Sequence, residues 1–418
     1  MTCDDELPGL SAGVRGLLSV KEAIELLASA VAPIERSEII PIEKAAGLTV
    51  RCNLAALRDL PPFDQSAMDG FALSGGGRRG VFTLAAHDGI RAGDGTTRIL
   101  PGYARGIATG APIPDGADRV VMLEHAALGS DRLVLRGEVT KAANIRFKGE
   151  DVREGDHLVA VGAVLDVRKI ALLAAQGYRT VEVRWRPRIA ILTTGNEVRQ
   201  PGGPIDATSV YDANGPMLTA AAARAGLDLV QVGHCRDDVE RLGEAIEAMC
   251  ARADLVLVSG GSSTGEGDHT DRALRAAGGT SAKLSIAMKP GKPAVFGKLG
   301  KATVLGISGN TVAAYVSWIT LGRAVVAALR GRPSTLPRSR RILAINELKR
   351  RSGRMEFAPA KISLVDGGDT LEFLGKGGSA RLQPLASADG LAMVEESRGN
   401  VSAGEMVSFF PFRDAEEF

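Results

Sequence analysis

Near the amino end of the chain, apolar residues recur at the spacing of a helix, directly after a residue that can cap one. Ser19 precedes the run and Glu22 follows Ser19 by three residues, which is the capping-box arrangement. The apolar positions that fall on one helical face are Val20, Ala23, Ile24 and Leu27. This pattern predicts a helix that begins immediately after Ser19.

Between residues 53 and 140 the pattern changes to short apolar runs separated by Gly, Pro and Asp. Such punctuation is typical of strands joined by turns, so this stretch is predicted to be β-rich. Helical spacing returns at residues 168–176 and stops at Gly177, a residue type favoured just after a helix. We therefore predict a small helical domain in two pieces, residues 15–52 plus 141–183, interrupted by a β-rich insertion over residues 53–140.

Residues 184–332 alternate between apolar runs of strand length and segments with helical spacing. The predicted strands are residues 189–192, 229–232, 255–258 and 303–307, and the predicted helices are residues 216–225, residues 239–249 and a segment from about Asn310. This alternation indicates a doubly wound α/β domain with a mostly parallel sheet. Residues 312–329 approach membrane-spanning length, but Arg323 interrupts them, so we interpret them as a buried core helix.

After a Pro- and Arg-rich join, residues 333–418 show short alternating runs, Gly-rich turns and no helical period. They are predicted to form a small β domain. The basic residues around the join lack the interleaved aromatic residues of a nucleic-acid motif. We interpret them as a solvated linker and edge strand: Arg338, Arg340, Arg341, Lys349, Arg350, Arg351 and Arg354.

Charge and cysteine content narrow the function classes. The 418 residues include 51 basic and 49 acidic side chains, and the net charge of +2 gives no field that favours nucleic acid or an anionic membrane. The four cysteines lack the paired spacing of a zinc or redox site and are interpreted as reduced, mostly buried thiols. The amino terminus lacks the features of a secretory signal. We expect a cytoplasmic protein with no nucleic-acid and no membrane partner.

In an open α/β sheet, ligands bind beyond the carboxyl ends of the strands, where loop amides and helix amino termini converge. Three of the predicted ends are rich in glycine or polar residues: TTGNE at residues 193–197, SGGSSTGEGDHT at residues 259–270 and SGN at residues 308–310. The middle loop offers amides and hydroxyls to a phosphate, although it has neither P-loop nor dinucleotide-binding glycine spacing. These three loops are therefore the candidate ligand site.

Acidic residues stand beside these loops. Glu197 and Asp268 are placed so that paired carboxylates could hold Mg²⁺ next to a phosphate, and both are equally compatible with capping a helix. Asp237, with Glu240 three residues later, is interpreted as a helix cap. His269 is interpreted as a polar loop residue and not as a metal ligand.

Further polar residues lie on stiff turns. Lys289 and Lys292 occur in MKPGKP, a turn whose point charges suit an oxyanion, although an ordinary solvated turn has the same composition. Residues 61–72 hold Asp64, Ser66 and Asp69 between prolines and a glycine, and residues 105–118 hold Thr109. Each loop alone could be an ordinary β turn, whereas the presence of both favours a functional site.

In this order, these motifs resemble those of the molybdopterin molybdenumtransferases, which are the bacterial MoeA proteins and the related E domain of gephyrin. The motifs are PPFDQSAMDGFA, ATGAPIPDGADRVVMLE, NIRFKGEDVREGD, TTGNEV, SGGSSTGEGD and KPGKP, and the resemblance runs from about Ser19 to the carboxyl end. It implies an elongated homodimer with four domains per chain: a helical domain in two pieces, a β-rich insertion, an α/β molybdopterin-binding domain over residues 184–332 and a C-terminal β barrel over residues 333–418.

The resemblance also implies the activity: insertion of molybdate into adenylylated molybdopterin, with Mg²⁺ and with release of AMP, in molybdenum cofactor biosynthesis. Carried over by position, the residues implicated in activity are Asp64, Thr109, Asp151, Glu197, Asp237, Asp268 and Lys289. Glu197 and Asp268 are the implied metal ligands. The implied cofactor-binding positions are Thr194, Gly195, Gly260, Gly261, Ser262, Ser263, Gly265, Lys292, Ser308, Asn310 and, more loosely, Ser379.

Roles follow from the same resemblance. The glycine-rich loop would cradle the phosphate of the pterin, and Lys289 would offset charge as molybdate reacts. Asp64 and Thr109 would close the site across a domain or dimer boundary. The implied partners are a second copy of the chain, molybdopterin and, for hand-over, a molybdopterin adenylyltransferase and molybdoenzymes.

Several positions depart from the family pattern. Ser308 and Thr311 stand where the family usually has prolines, Asn196 replaces an acid, and Ser285 replaces a lysine. These changes would loosen a loop and alter the charge beside the site. They motivate an alternative hypothesis, in which the chain is a non-catalytic carrier or scaffold that binds molybdopterin.

Overall fold

The computed structural model describes residues 16–75, 80–85, 88–261, 269–365, 368–375 and 381–415. The chain forms two compact units. The first comprises Met1–Glu38 and Arg184–Phe418, and the second comprises Ile39–Val183.

A six-stranded sheet forms the centre of the first unit. In order across the sheet, its strands are Asp228–Cys235, Arg188–Thr194, Leu255–Ser259, Ala302–Ile307, Pro293–Leu299 and Thr280–Ser285. The first four are parallel and the last two are antiparallel to their neighbours. Leu255–Ser259 and Ala302–Ile307 are buried along their whole length, as expected for strands covered on both faces. The four predicted strands are present, and the two antiparallel strands had not been predicted.

Helices pack on both faces of this sheet. They are Val20–Ala30, Asn214–Arg224, Val239–Cys250, His269–Ala276 and the continuous helical segment Thr311–Leu329, and Val198–Arg199 pairs with Val210–Tyr211 beside the sheet. The capping box at Ser19 is confirmed: Ser19 Oγ accepts from the Glu22 N–H at 3.2 Å, and Glu22 Oε2 accepts from the Ser19 N–H at 2.7 Å. The domain boundaries proposed from the sequence stay predictions.

The segment Thr311–Leu329 is, within the described residues, long and apolar enough to cross a membrane, but 89% of it is buried in the protein. Its middle, Trp318–Gly322, is a π-helical turn. Trp318 is 1% exposed and shares its core with helix Val20–Ala30. A Cβ atom on Gly322 would lie 2.6 Å from the Trp318 ring, so only glycine fits there. The prediction of a buried core helix is confirmed.

The carboxyl-terminal part of the first unit is a closed five-stranded β barrel, as the resemblance implied. Its strands are Arg340–Ala344, Met355–Val365, Gly368–Phe373, Gly390–Val394 and Met406–Pro411, and pairing of Met355–Val365 with Gly390–Val394 closes the ring. The short strand Met288–Lys289 adds to it in parallel through Met355 and Glu356. Two short helices, Leu382–Ser387 and Phe412–Ala415, had not been predicted.

The second unit is β-rich. Its six-stranded sheet has the order Arg119–Met122, Gly70–Leu73, Tyr103–Ile107, Val81–Leu84, Arg132–Leu135 and Ala126–Leu128. Two-stranded pairs join Ser37–Pro41 to Thr180–Arg184, Leu54–Ala55 to His157–Val159, and Gln65–Ser66 to Ile145–Arg146. Its helices are Val167–Ala175, capped by Asp166 and followed by Gly177 at φ +91°, and the 3-10 turns Ile42–Lys44 and Leu123–His125.

Two sequence interpretations are wrong. Arg350 was assigned to a solvated segment, yet it is 8% exposed, because its guanidinium forms an ion pair with the buried Glu356. The three described cysteines are free thiols, but Cys52 is exposed and Cys235 and Cys250 are half-buried, so "mostly buried" does not hold.

The two tryptophans allow a matched test of the core. Trp318→Ala should destabilise the first unit by about 3 to 5 kcal/mol, since a fully buried ring is replaced by a cavity. Trp185 is 41% exposed and lies over Arg36, so Trp185→Ala should cost only about 1 kcal/mol. Urea unfolding followed by circular dichroism measures both. Equal losses in the two variants would contradict the assignment of Trp318 to the core.

Candidate functional site

The carboxyl ends of the parallel strands lie side by side at one edge of the central sheet. Thr193 is paired with Ser259, and Ser259 is paired with Ile307, so the loops after these strands start at the same level. A cavity of about 590 Å³ opens at this edge. The predicted site residues that line it are Thr194, Gly195, Glu197, Asp237, Gly260, Gly261, Lys292 and Ser308.

Two glycines let these loops approach each other closely. Gly260 has φ +104°, and a Cβ atom there would lie 2.5 Å from Thr194 Oγ1. A Cβ atom on Gly309 would lie 3.3 Å from the Cα of Gly260. Side chains at these positions would therefore collide with the neighbouring loops and push them apart.

Asn214 begins helix Asn214–Arg224, and its side chain lines the cavity. Nδ2 donates to Ser259 Oγ at 2.9 Å and to the Gly309 carbonyl at 2.7 Å, so both of its protons are used. Oδ1 is buried and has no partner. The orientation of the amide is therefore fixed by its two donated hydrogen bonds, and Oδ1 is the one atom of the group that is left unpaired.

Within the described residues, Thr194 Oγ1 and His269 Nδ1 are further buried polar atoms without a partner, and both residues line the same cavity. Because buried polar atoms are nearly always hydrogen-bonded, these three atoms make Asn214, Thr194 and His269 candidates for ligand recognition. Asn214 was not singled out from the sequence, since the predicted helix began at residue 216. The cap position of the helix is Ala213, which makes no side-chain bond.

Asp237 lines the cavity and does not cap a helix, so the capping interpretation is wrong. The cap of helix Val239–Cys250 is Asp238, whose Oδ1 accepts from the Arg241 N–H at 3.1 Å. Asp237 Oδ2 instead accepts from the Asn196 N–H at 3.2 Å, and Asn196 Oδ1 accepts from the Asp237 N–H at 3.3 Å. This reciprocal pair joins the loops that follow two neighbouring strands.

Two more carboxylates line the cavity. Asp212, which had not been predicted, accepts from Thr193 Oγ1 at 2.8 Å and from the Gly215 N–H at 2.8 Å. Glu197 is exposed, and its carboxylate bends back over Gly195, where a Cβ atom would lie 2.8 Å from Glu197 Oε2. The cavity wall is therefore acidic on the side of these loops.

The second predicted metal ligand, Asp268, lies outside the described residues. Within the described part of the chain, no group of three or more His, Cys, Asp or Glu side chains could hold a metal ion. Mg²⁺ is usually bound through one or two carboxylates together with phosphate oxygens and water. The exposed carboxylate of Glu197 at the cavity fits that kind of site, in which the ligand supplies oxygens, and not a closed protein cage.

Cys235 ends the strand next to this edge. Burial, and after it the charge of Asp238, raises the pKa of its thiol. The thiol therefore stays protonated at neutral pH, which disfavours its action as a nucleophile.

A second cavity of about 370 Å³ lies between the central sheet and the barrel. Lys292, Pro293 and Ser308 line both cavities, so the two cavities are neighbours. Its basic lining residues are Lys289, Lys292, Arg354 and Arg381. One carboxylate, Glu356, also lines it and pairs with Lys289 at 2.8 Å. This concentration of positive charge suits an oxyanion.

The Ser308 to Thr311 loop carries two of the departures from the family pattern. Ser308 Oγ accepts from the Asn310 N–H at 3.2 Å, and the Ser308 carbonyl accepts from Ser259 Oγ at 3.2 Å. Asn310 lines the second cavity and caps helix Thr311–Ser317. The loop is thus held by hydrogen bonds where the family has proline. Ser285 ends strand Thr280–Ser285, and its carbonyl accepts from the Leu18 N–H at 2.8 Å.

Asp64 and Thr109 lie on exposed loops of the second unit, which backbone hydrogen bonds link to each other. The Ser66 N–H donates to the Ala111 carbonyl at 2.9 Å, and the Ile113 N–H donates to the Asp64 carbonyl at 2.9 Å. The two predicted polar loops therefore form one surface of this unit.

The functional groups on this surface are held by local partners. Asp64 Oδ1 accepts from the Lys148 N–H at 2.8 Å. Asp69 Oδ1 accepts from the Thr109 N–H at 2.8 Å and from its hydroxyl at 3.2 Å. Asp151 is exposed, and its N–H donates to the Leu60 carbonyl at 3.1 Å. The remaining predicted site residues, Ser262, Ser263, Gly265 and Ser379, lie outside the described residues.

Three family descriptions match the chain in the order of its parts. They are the MoeA N-terminal region (domain I and II) at residues 18–177, the probable molybdopterin binding domain at residues 190–328 and the MoeA C-terminal region (domain IV) at residues 343–412.

Curated relatives and a solved structure agree with these matches. The molybdopterin molybdenumtransferase of Haemophilus influenzae is 32% identical over 90% of this chain and 94% of its own. Molybdopterin molybdenumtransferase 2 of Mycobacterium tuberculosis is 32% identical, with coverages of 87% and 92%. The crystal structure of a molybdopterin biosynthesis MoeA protein from Pyrococcus horikosii superposes with a TM-score of 0.75 at 26% identity, covering 95% of this chain and 99% of that one. The chain therefore belongs to the MoeA family of molybdopterin molybdenumtransferases, the transferases of molybdenum cofactor biosynthesis.

Proposed function

We propose that this chain inserts molybdate into adenylylated molybdopterin and releases AMP, with Mg²⁺ present. The observation that supports this most strongly is the pair of neighbouring cavities, one lined by carboxylates and glycine loops and the other by cations. A reaction between a phosphorylated pterin and an oxyanion needs both ligands next to each other. The shared residues Lys292, Pro293 and Ser308 meet that requirement.

In the first cavity, the chain binds and orients the pterin. Gly260, Gly261 and Gly309 bring loop backbone to the wall of this cavity, where its amides can bind a phosphate. Asn214 Oδ1 offers a fixed acceptor, and Thr194 Oγ1 and His269 Nδ1 offer two more unpaired polar atoms. Such groups orient a ring that carries hydrogen-bond donors and acceptors.

Glu197 and Asp268 are the residues that would hold Mg²⁺, which when bound neutralises charge on the phosphoanhydride as it breaks. In the second cavity, Lys289 and Lys292 balance the charge of molybdate. Arg354 and Arg381 add to the positive lining. Protein groups that hold both anions in place lower the electrostatic cost of bringing them together.

The finer properties implied by family membership belong to the same proposal. They are a homodimeric state, a cytoplasmic location, activity roles for Asp64, Thr109 and Asp151, cofactor contacts from the glycine loop and Ser379, and hand-over with a molybdopterin adenylyltransferase and molybdoenzymes. The four predicted domain boundaries stand with them.

A carrier without turnover is the second candidate, and Ser285, Ser308, Thr311 and Asn196 favour it. The hydrogen bond from the Asn310 N–H to Ser308 Oγ weakens the case, because it replaces part of the order that a proline would supply. Thr311 is the first residue of its helix, a position that accepts proline. A carrier should gain AMP release on Ser308→Pro with Thr311→Pro.

The first prediction concerns the reaction itself. Purified protein incubated with adenylylated molybdopterin and Mg²⁺ should release AMP only when molybdate is added, since the anhydride breaks as the oxyanion reacts. Chromatographic quantification of AMP measures this. Pterin binding without molybdate-dependent AMP would reject the insertase and leave the carrier.

The second prediction concerns Asn214. Asn214→Ala should raise the Kd for molybdopterin about tenfold or more, because the ligand loses a fixed, buried acceptor. Asn346→Ala is the matched control, since Asn346 bonds only to the backbone of Phe373 in the barrel. Fluorescence titration gives both constants. Equal Kd values for Asn214→Ala and wild type would remove Asn214 from the site.

The third prediction concerns Lys292, which lines both cavities. Lys292→Ala should raise both the pterin Kd and the molybdate KM about tenfold, since one cation faces both anions. Lys298→Ala, on strand Pro293–Leu299 but outside both linings, should change neither. An increase in only one of the two constants would show that Lys292 does not act on the ligands of both cavities.

A further inference from the structure

Glu356 is a buried carboxylate of the barrel that reaches the second cavity. It is 4% exposed and lies opposite Lys289, where strand Met355–Val365 pairs with Met288–Lys289. Its Oε1 lies 2.8 Å from Lys289 Nζ, and its Oε2 lies 3.0 Å from Arg350 Nε. Each carboxylate oxygen is therefore paired with a different cation.

Arg350 makes this arrangement rigid. Its side chain is 1% exposed. Nη1 donates to the Glu395 carbonyl at 2.8 Å and also to the Arg398 carbonyl, and Nη2 donates to the Arg354 carbonyl. Three of the five guanidinium N–H donors are thus bonded to backbone carbonyls and a fourth to Glu356, so the guanidinium has little freedom to move with the Glu356 side chain. The carboxylate is thus anchored on the side away from the cavity.

Lys289 has a different environment. Its side chain is 36% exposed and borders the cavity, whereas its Glu356 partner is buried. A lysine side chain has four rotatable bonds and samples many conformations unless a partner holds it. Glu356 supplies such a partner for one of the three ammonium protons and leaves the others available to a ligand.

We propose that Glu356, anchored by Arg350, is a positioning residue that holds Lys289 in place for the incoming oxyanion. This inference rests on the proposed function for the role of the oxyanion. The negative charge of Glu356 at the wall of a cationic cavity reduces the attraction of an anion to that cavity. Long-range electrostatic attraction therefore does not explain why a carboxylate stands there. Fixing the direction of the Lys289 ammonium does explain it. The barrel then contributes directly to the molybdate cavity.

Two substitutions distinguish a positioning role of Glu356 from a purely electrostatic effect of its negative charge on the anion. Glu356→Asp keeps the charge but is one methylene shorter, so it cannot reach both Arg350 and Lys289. Glu356→Gln keeps the length but loses the charge. If Glu356 positions Lys289, both variants should weaken molybdate binding about tenfold, measured by calorimetry, with pterin binding unchanged. Wild-type binding by Glu356→Asp together with tighter binding by Glu356→Gln would overturn the proposal in favour of a field effect.

A double-mutant cycle with Lys289→Ala tests whether the effect passes through the lysine. In the Lys289→Ala background, Glu356→Gln should cause no further loss of molybdate affinity, although it still lowers the melting temperature. The same fold-loss in both backgrounds would mean a purely structural role and overturn the proposal. Asp369→Asn, which disrupts the surface pair of Asp369 with Arg340 in the same barrel, is the control and should leave binding unchanged.

A ligand-free readout keeps this test separate from the proposed function. Crystal structures of wild type and Glu356→Asp without molybdate should show Lys289 Nζ ordered in the first and spread over several rotamers in the second. An identically ordered Lys289 in both would overturn positioning, whether or not the protein releases AMP. Absent AMP release with intact molybdate binding would instead reject the insertase and leave the positioning role standing.

Discussion

Parallel pairing of the four central strands is the constraint on which the site depends. Because Thr193, Ser259 and Ile307 share one register, three loops that are far apart in sequence start at one edge of the sheet. Their glycines permit contact between backbones, and Asn214 ties two of them together through Ser259 and Gly309. The first cavity is therefore a consequence of the sheet, which brings the polar atoms of separate loops together at one edge.

The second cavity also depends on parallel strand pairing, in this case over only two residues of each strand. Met288–Lys289 adds as a short strand to the barrel, which brings Lys289 to Glu356 and sets the barrel against the α/β part of the first unit. Lys292 and Ser308 then belong to both cavities. If the second cavity is the oxyanion site, as proposed, the barrel contributes to that site, since the partner of Lys289 comes from its strand.

Local patterns predicted much of this structure, whereas contacts between distant segments stayed hidden. The capping box at Ser19, the buried helix and the four parallel strands follow from spacing, which depends on neighbours in sequence. Asp237 was misassigned because an acid before a helix suggests a cap, and the choice of Asp238 depends on backbone geometry. Arg350 looked solvated because its partner Glu356 becomes buried only when the barrel closes. No local signal marks Asn214 Oδ1 as unpaired, since its two donors meet residues from other loops.

The most direct test of the central claim is a crystal structure of the protein soaked with tungstate, an oxyanion nearly isosteric with molybdate, with anomalous data collected at a tungsten absorption edge. The account predicts one strong anomalous peak in the second cavity, within reach of Lys289, Lys292 and Arg354 and next to the cavity that holds Asn214. A peak only elsewhere on the protein, with the second cavity empty, would contradict the pairing of the two cavities as neighbouring pterin and oxyanion sites.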